Sequence, residues 1–186
     1  MPTGSSTIRQ DMPLSGAPPM SPTPDDGVSE DLRRAFRIAA SSVWIVTSAH
    51  DRIPVGFTAI SIASVSVDPA LISFNIGRRS SSLPTLSRSR RFAAHLLSAG
   101  QDLLARRFAA TTSERFADES TWQWDPDGIP ELNGVVARLS GSVTSLVETG
   151  DSLLAVAEVR HCVIGDGTPL LHHNRSYLPL PSTSAL

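Results

Sequence analysis

The spacing of apolar residues changes along the chain, and the first regular pattern has the period of a helix. Leu32, Ala35, Phe36 and Ala39 recur at intervals of three and four residues, while the arginines between them can face water. Ser29 is a residue type that caps helices by accepting a backbone hydrogen bond. The pattern predicts a short amphipathic helix from residue 29.

After this helix, short runs of β-branched and aromatic residues follow one another, as is typical of strands. Strands are predicted at 43–48, 54–58, 65–67, 71–76, 92–97, 135–143 and 153–164. Helices are predicted at 83–89, with Pro84 in the first turn, and at 101–108. Because strands and helices do not alternate, we predict a mainly β fold, an antiparallel barrel with peripheral helices, rather than a doubly wound sheet.

The two ends of the chain differ from its middle. Residues 1–28 are rich in Pro, Ser, Thr and Gly, which predicts a disordered N-terminal arm, and residues 179–186 resemble a second short tail. The 186-residue length favours one domain of ordinary size, which we place at 29–178.

The composition excludes several classes of function. The net charge of −2 gives no basic surface for a nucleic acid. All 16 basic residues are arginine, so neither a lysine Schiff base nor a Walker phosphate loop can form. The chain has no apolar run long enough to span a membrane and no signal-peptide pattern, and its single cysteine, Cys162, fits a reducing compartment. We therefore expect a cytoplasmic protein with neither a nucleic acid nor a membrane as partner, and no metal site.

Small hydroxyls are concentrated between residues 54 and 69, where Thr58, Ser61, Ser64 and Ser66 follow one another. Hydroxyls and nearby backbone amides suit a flat ligand with polar edges, such as a flavin ring. A serine-rich strand edge and turn would give the same pattern, because loops favour serine. The residues alone leave both interpretations open.

The order of motifs distinguishes them. The stretches that carry a resemblance to a known family are, in chain order, 36–37, 43–47, 54–58, 64–69, 71–76, 80–82, 92–97, Ser98 with Gln101, 115–116, 150–151, and 169–170 with Tyr177. This ordered set, spanning residues 30–178, resembles the flavin reductase-like family. The resemblance implies an FMN-binding split barrel of the antiparallel Greek-key type. It also implies an NAD(P)H:flavin oxidoreductase that passes a hydride to FMN or FAD, acts as a homodimer, and supplies reduced flavin to a monooxygenase.

The resemblance also assigns residues to the flavin. Those expected along the isoalloxazine edge and ribityl chain are Thr58, Ala59, Ile60, Ser61, Ser64, Val65 and Ser66. Those expected on the phosphate side are Asn75, Ser80 and Ser82, with Arg115 in a nearby loop. Arg78 and Arg79 are either phosphate counter-charges or part of a solvated loop.

The nicotinamide side contains a departure from the family. Gly150, Asp151 and Ser152 stand where the family commonly has Gly-Asp-His, and His172 and Tyr177 are further candidates for this side of the pocket. The missing histidine leaves an alternative open, in which the protein binds flavin or a related planar cofactor without reducing it and has an auxiliary biosynthetic role.

Overall fold

The computed structural model describes residues 26–110 and 112–180. The α-helices are α1 (Asp26–Ile38), α2 (Leu83–Ser89) and α3 (Asp102–Ala109), with 3₁₀ turns at Thr112–Glu114 and Glu119–Thr121. The strands are β1 (Ser41–Ser42), β2 (Trp44–His50), β3 (Ile53–Ala59), β4 (Ala63–Ser66), β5 (Leu71–Gly77), β6 (Arg91–Leu96), β7 (Trp122–Trp124), β8 (Pro130–Leu132), β9 (Ala137–Thr149), β10 (Ser152–Ile164), β11 (Leu170–His173) and β12 (Ser176–Pro179).

The strands form one large sheet and two small ones. The large sheet has the order β3-β2-β6-β9-β10-β5-β4, and the small sheets have the orders β1-β11-β12 and β7-β8. Every strand pairing in the described part of the chain is antiparallel. The predicted mainly β fold with peripheral helices is therefore confirmed.

The two faces of the large sheet bury different cores. Val46, Phe74 and Phe92 belong to the first core, whereas Ile45 and Phe108 belong to the second, together with residues of α3 and β11. Successive residues of a strand point to opposite faces, so neighbours on β2 serve different cores. This arrangement holds α3 and the C-terminal hairpin against the back of the sheet.

The long β9–β10 hairpin is bent by irregular pairing. Its register shifts between Val156 and Ala157 and again between Val159 and His161. Gly141 lies opposite the second shift, where a Cβ atom would overlap the carbonyl oxygen of Glu158. Glycine is required at this position because two backbones approach closely there.

Most predicted bounds differ from the observed ones by one or two residues, and the strand predicted at 135–143 continues to Thr149 as β9. Two further differences change an interpretation. Helix α1 begins at Asp26, so Ser29 lies inside the helix and does not cap it. Pro179, the first residue of the predicted tail, is the last residue of β12. Residues 1–25 of the predicted arm and 181–186 of the predicted tail lie outside the described residues.

The structure buries His95 completely in the sheet. Its Nδ1 lies 3.1 Å from the carbonyl oxygen of Ile45, and its Nε2 has no hydrogen-bond partner in the described residues. Burial lowers the pKa of His95 to about 4, opposed by the Ile45 contact and reinforced by the charge of Arg138. The folded protein therefore keeps this imidazole neutral.

We predict that His95 makes stability fall in mild acid. The unfolded chain takes up a proton near pH 6.5 and the folded protein does so only near pH 4, so the stabilisation is complete above pH 6.5 and is lost as the pH falls toward 4. We expect His95 to contribute about 2 kcal/mol to the loss of unfolding free energy between pH 7 and pH 5. Urea denaturation at several pH values measures this loss.

The matched variants for that measurement are His95→Asn and His161→Gln. His161 is exposed, so its replacement should leave the pH dependence unchanged, whereas His95→Asn should flatten it. An equally steep pH dependence in His95→Asn would contradict the prediction.

Candidate functional site

The segment expected to contact flavin follows one edge of the large sheet. After β3 ends at Ala59, residues 60–62 form a loop, and β4 then pairs with β5 as the last strand of the sheet. Ala59 is buried, whereas Ile60, Val65 and Val67 are exposed, Val67 by 88%. Exposed apolar side chains between serines give a surface that suits a flat ring with polar edges.

Two hydroxyls of this segment hold the edge in place. The Thr58 hydroxyl donates to the carbonyl oxygen of Ala105 at 2.7 Å and so ties β3 to α3. The Ser61 hydroxyl accepts from the backbone amide of Asn75 at 3.1 Å and ties the loop to β5. These two side chains shape the surface; Thr58 uses its hydroxyl proton in this contact, whereas Ser61 only accepts and keeps its own proton for a ligand.

Two other hydroxyls are available to a ligand. Neither Ser64 nor Ser66 has a side-chain hydrogen bond within residues 26–110 and 112–180. Val65 lies between them at a shift in the β4–β5 register. The bulge therefore places an exposed apolar side chain between two free hydroxyl groups.

The carbonyl oxygen of Gly56 is a junction at the start of this edge. It accepts from Arg115 Nη1 at 2.6 Å and from the hydroxyl of buried Ser82 at 3.1 Å, while Arg115 Nη2 donates to Ala110 at 2.8 Å. Ser82 therefore supports the loop from inside the protein and offers no free group to a ligand. A cavity of about 160 Å³ adjoins the junction, lined by Pro54, Val55, Gly56, Ser81, Ser82, Arg115 and Phe116.

Arg115 retains one unused donor in this junction. Its Nε is buried and has no hydrogen-bond partner among the described residues. Burial lowers the pKa of Arg115, yet an arginine keeps its charge at neutral pH. An anionic group at the cavity would therefore meet a positive charge and a donor in need of an acceptor.

The predicted phosphate-side loop leaves the end of β5. The Ser80 amide donates to the carbonyl of Gly77 at 2.9 Å, and the Ser80 hydroxyl accepts from the Ser82 amide at 3.3 Å. Arg79 is exposed and has no hydrogen bond or ion pair within the described ranges. Its guanidinium is therefore free to bind an anion, and both interpretations from the sequence, a phosphate counter-charge and a solvated loop, fit this arrangement.

The turn expected on the nicotinamide side lies beside this loop. Gly150 has a φ of +64° in the β9–β10 turn, a conformation that favours glycine. Ser152 is the register partner of Gly77, and its hydroxyl donates to the Asp151 carboxylate at 3.0 Å. An open groove of about 780 Å³ is lined by Gly77, Arg78, Arg79, Ser80 and Asp151. The structure thus brings the predicted phosphate and nicotinamide segments together.

His172 and Tyr177 lie elsewhere. They belong to the β11–β12 hairpin, which bonds to residues 43 and 97 through Leu170, beyond the far ends of β2 and β6. Ser152 is at the opposite end of β10, which spans about 40 Å at the usual rise per residue. A single chain therefore does not bring these two residues to the Gly150–Ser152 turn.

The surroundings of Tyr177 are those of a packed side chain. Its ring makes an edge contact with His172, with centroids 5.5 Å apart, and the Arg106 guanidinium lies 5.1 Å from its centre. Burial raises the pKa of Tyr177, although Arg106 opposes the shift. Burial therefore favours the neutral, protonated form of the Tyr177 phenol.

The sequence did not identify two features of the site. The role of Gly56 depends on its backbone oxygen, which no residue-type pattern reports. Glu148 contacts Arg78 across 70 positions of sequence, and no local motif connects them. Only the β5–β10 pairing reveals this contact.

Within residues 26–110 and 112–180, no group of three or more His, Cys, Asp and Glu side chains is placed to hold a metal ion. In the same ranges, no helix is long and apolar enough to cross a membrane.

Known proteins share both the sequence and the fold. Residues 36–181 match the flavin reductase like domain family. An NADH:FMN oxidoreductase from Rhodococcus erythropolis is 40% identical over 157 residues, covering 81% of this chain and 82% of that protein. The 4-hydroxyphenylacetate 3-monooxygenase reductase component of Salmonella typhimurium is 31% identical over 154 residues, covering 80% and 90%.

A solved structure gives the same result. The NADH:FAD oxidoreductase of Streptomyces globisporus C-1027, determined in complex with NAD and FAD fragments, superposes with a TM-score of 0.79 at 28% identity. The superposition covers 89% of this chain and all (100%) of that one.

Proposed function

The chain belongs to the flavin reductase-like domain family, and from this premise we propose that it is an NAD(P)H:flavin oxidoreductase, transferring a hydride from NADH or NADPH to FMN or FAD. The observation that carries the proposal is the pairing of Gly77 with Ser152. This pairing sets the predicted phosphate loop beside the predicted nicotinamide turn, at one end of β5, and the edge strand β4 pairs with residues 71–73 of the same strand.

The residues present fit a flavin. The free hydroxyls of Ser64 and Ser66 would bond the polar edge of the ring, and the exposed Val65 would contact its apolar face. The unpaired guanidinium of Arg79 and the unused Nε of Arg115 would meet phosphate oxygens. When bound, the flavin supplies the hydride acceptor, and the protein supplies binding and alignment.

The chain contributes to the reaction through its fixed dipoles. Backbone amides and hydroxyls between Thr58 and Ser66 can stabilise negative charge that develops at the ring edge, because they are already held in place by the β3–α3 and β5 contacts. Ser152 bonds to Asp151 and transfers no proton in this scheme. Hydride transfer needs none from a side chain at the moment of chemistry, so alignment of the two reactants is the main requirement.

We also propose a monooxygenase as the recipient of the reduced flavin. The similarity to the reductase component of a 4-hydroxyphenylacetate 3-monooxygenase supports this role. The proposed location is the cytoplasm, which accords with a chain whose single cysteine, Cys162, is an exposed free thiol.

The function is tested by mixing the purified full chain with FMN or FAD and with NADH or NADPH. We expect loss of nicotinamide absorbance above the flavin-only blank for at least one of the four pairs. No oxidation with any pair would reject the reductase. Tight flavin retention without oxidation would instead favour the alternative, a flavin-binding protein, which the serine at position 152 motivates.

A second prediction concerns Ser152 itself. Replacing it with the family's usual histidine adds a donor beside the groove, and one hydrogen bond in the reacting complex is expected to raise kcat/KM for the preferred nicotinamide by about 2- to 10-fold. Ser152→Ala is the matched control and should show no gain. An unchanged or lower kcat/KM in Ser152→His would contradict the prediction.

We further propose that the protein is a homodimer joined through α1. Val28, Leu32 and Phe36 follow one another at helical spacing and are exposed, Phe36 by 70%. An exposed apolar stripe of this kind marks an interaction surface. The Asn174 amide donates to the carbonyl of Arg37 at 2.8 Å, so α1 lies at the same end of the molecule as the hairpin carrying His172 and Tyr177.

A second copy of the chain is the proposed occupant because it presents the same apolar stripe, so a two-fold pairing of α1 against α1 would cover both stripes at once. The β11–β12 hairpin would then lie near the interface, at the end of each chain opposite its own Gly150–Ser152 turn.

Light scattering coupled to size exclusion tests the dimer. We expect the wild-type protein to have twice the 19.8 kDa chain mass. The double variant Leu32→Glu with Phe36→Glu should have the single-chain mass, because the dimer would bury charges in place of the apolar stripe. Arg33→Ala with Arg34→Ala changes the polar face and should leave the dimer intact. A wild-type protein at the single-chain mass would refute the proposal, and circular dichroism verifies that each variant folds.

A further inference from the structure

Arg78 connects the two segments that form the groove. It follows β5, at the start of the loop that carries Ser80 and Ser82, and it faces the turn between β9 and β10. Its backbone amide donates to the carbonyl of Asp151 at 3.0 Å, and its Nη1 lies 3.3 Å from the carbonyl of Gly150. One residue therefore bonds to two consecutive residues of the opposite turn.

The Arg78 guanidinium also engages a carboxylate. Its Nη1 and Nη2 lie 3.4 and 3.2 Å from the two carboxylate oxygens of Glu148, just before the turn. Arginine suits this task because its planar fork can bond a carboxylate with two nitrogens while also reaching a carbonyl. Lysine would offer a single point charge instead.

The exposure of this pair limits its contribution to folding stability. The side chains of Arg78 and Glu148 are 47% and 70% exposed, and ion pairs of this kind contribute little to folding stability. The turn has further local support from Thr149, whose hydroxyl donates to the carbonyl of Ser152 at 3.2 Å. What Arg78 adds is a connection between this turn and a different part of the chain.

A continuous series of contacts leads from the flavin edge to this turn. The Gly56 carbonyl accepts from Ser82, the Ser82 amide donates to Ser80, and the Ser80 amide donates to Gly77. Arg78 follows Gly77 directly and bonds to the turn. Arg78 therefore adds a side-chain connection to the β5–β10 ladder, which already pairs Gly77 with Ser152.

We propose that Arg78 is a positioning residue, which holds the Gly150–Ser152 turn at a fixed distance from the Gly77–Ser82 loop and thereby aligns the nicotinamide with the flavin. The proposal rests on the proposed reductase function. It also gives the two adjacent arginines different roles, because the Arg78 side chain is bound to the turn, whereas that of Arg79 is free to contact a phosphate.

Amide hydrogen exchange tests the connection independently of activity. In Arg78→Ala we expect the backbone amides at position 78 and at residues 149–152 to exchange about 2- to 5-fold faster, as the loss of a weak exposed contact implies. Arg79→Ala is the matched control, since it removes the same charge from the next position without touching the turn. Its exchange at 149–152 should equal that of the wild type.

Kinetics and a charge swap test the consequence for alignment. We expect Arg78→Ala to raise the nicotinamide KM by about 5-fold, with the flavin Kd within twofold of wild type. Arg78→Glu combined with Glu148→Arg should recover part of both the exchange protection and the KM, a recovery that direct binding of the nicotinamide cofactor by the Arg78 guanidinium would not give.

The outcomes separate this proposal from the function on which it rests. Unchanged exchange at 149–152 in Arg78→Ala would overturn the connection whatever the activity. Faster exchange with an unchanged nicotinamide KM would overturn the role in alignment. A wild-type protein that oxidises neither NADH nor NADPH would refute the reductase, while the exchange measurement would still decide whether Arg78 holds the turn.

Discussion

The antiparallel register between β5 and β10 is the constraint on which the site depends. It pairs Phe74 with Ala155 inside the core and, at the end of the same two strands, Gly77 with Ser152. A slip by one residue would turn every side chain of β5 to the other face and expose Phe74. The burial that fixes the fold therefore also fixes the distance between the loop after β5 and the turn before β10.

A second constraint acts where β3 passes α3. A Cβ atom on Gly56 would lie 2.7 Å from the ring of Phe108. Only glycine at this position therefore lets β3 approach α3 so closely. The close approach leaves the Gly56 carbonyl within reach of Ser82 and Arg115. The side chains of Ser82 and Arg115 therefore bond to the backbone of Gly56, although their residue types alone would assign both of them directly to the ligand.

The sequence predicted much of this molecule because its strongest signals are local. The bounds of α2 and most of β5 follow from apolar spacing and from Pro84, and the antiparallel fold follows from the absence of strand–helix alternation. The short strands β7, β8, β11 and β12 escaped prediction because their pairing, rather than their composition, makes them strands. For the site, residue order predicted two segments that the structure brings together at Gly77 and Ser152, whereas the use of each hydroxyl and the distance of Tyr177 from Ser152 depend on contacts between remote parts of the chain.

The strand order has a consequence for how the protein is made. β5 borders β4, its near neighbour in sequence, but its other partner, β10, ends only at Ile164. During synthesis on the ribosome, the apolar faces of β2, β5 and β6 must therefore wait for the β9–β10 hairpin to emerge before the sheet can close. A nascent chain that has not yet reached Ile164 still lacks the pocket, and such unpaired apolar strands are the species that chaperones protect from aggregation.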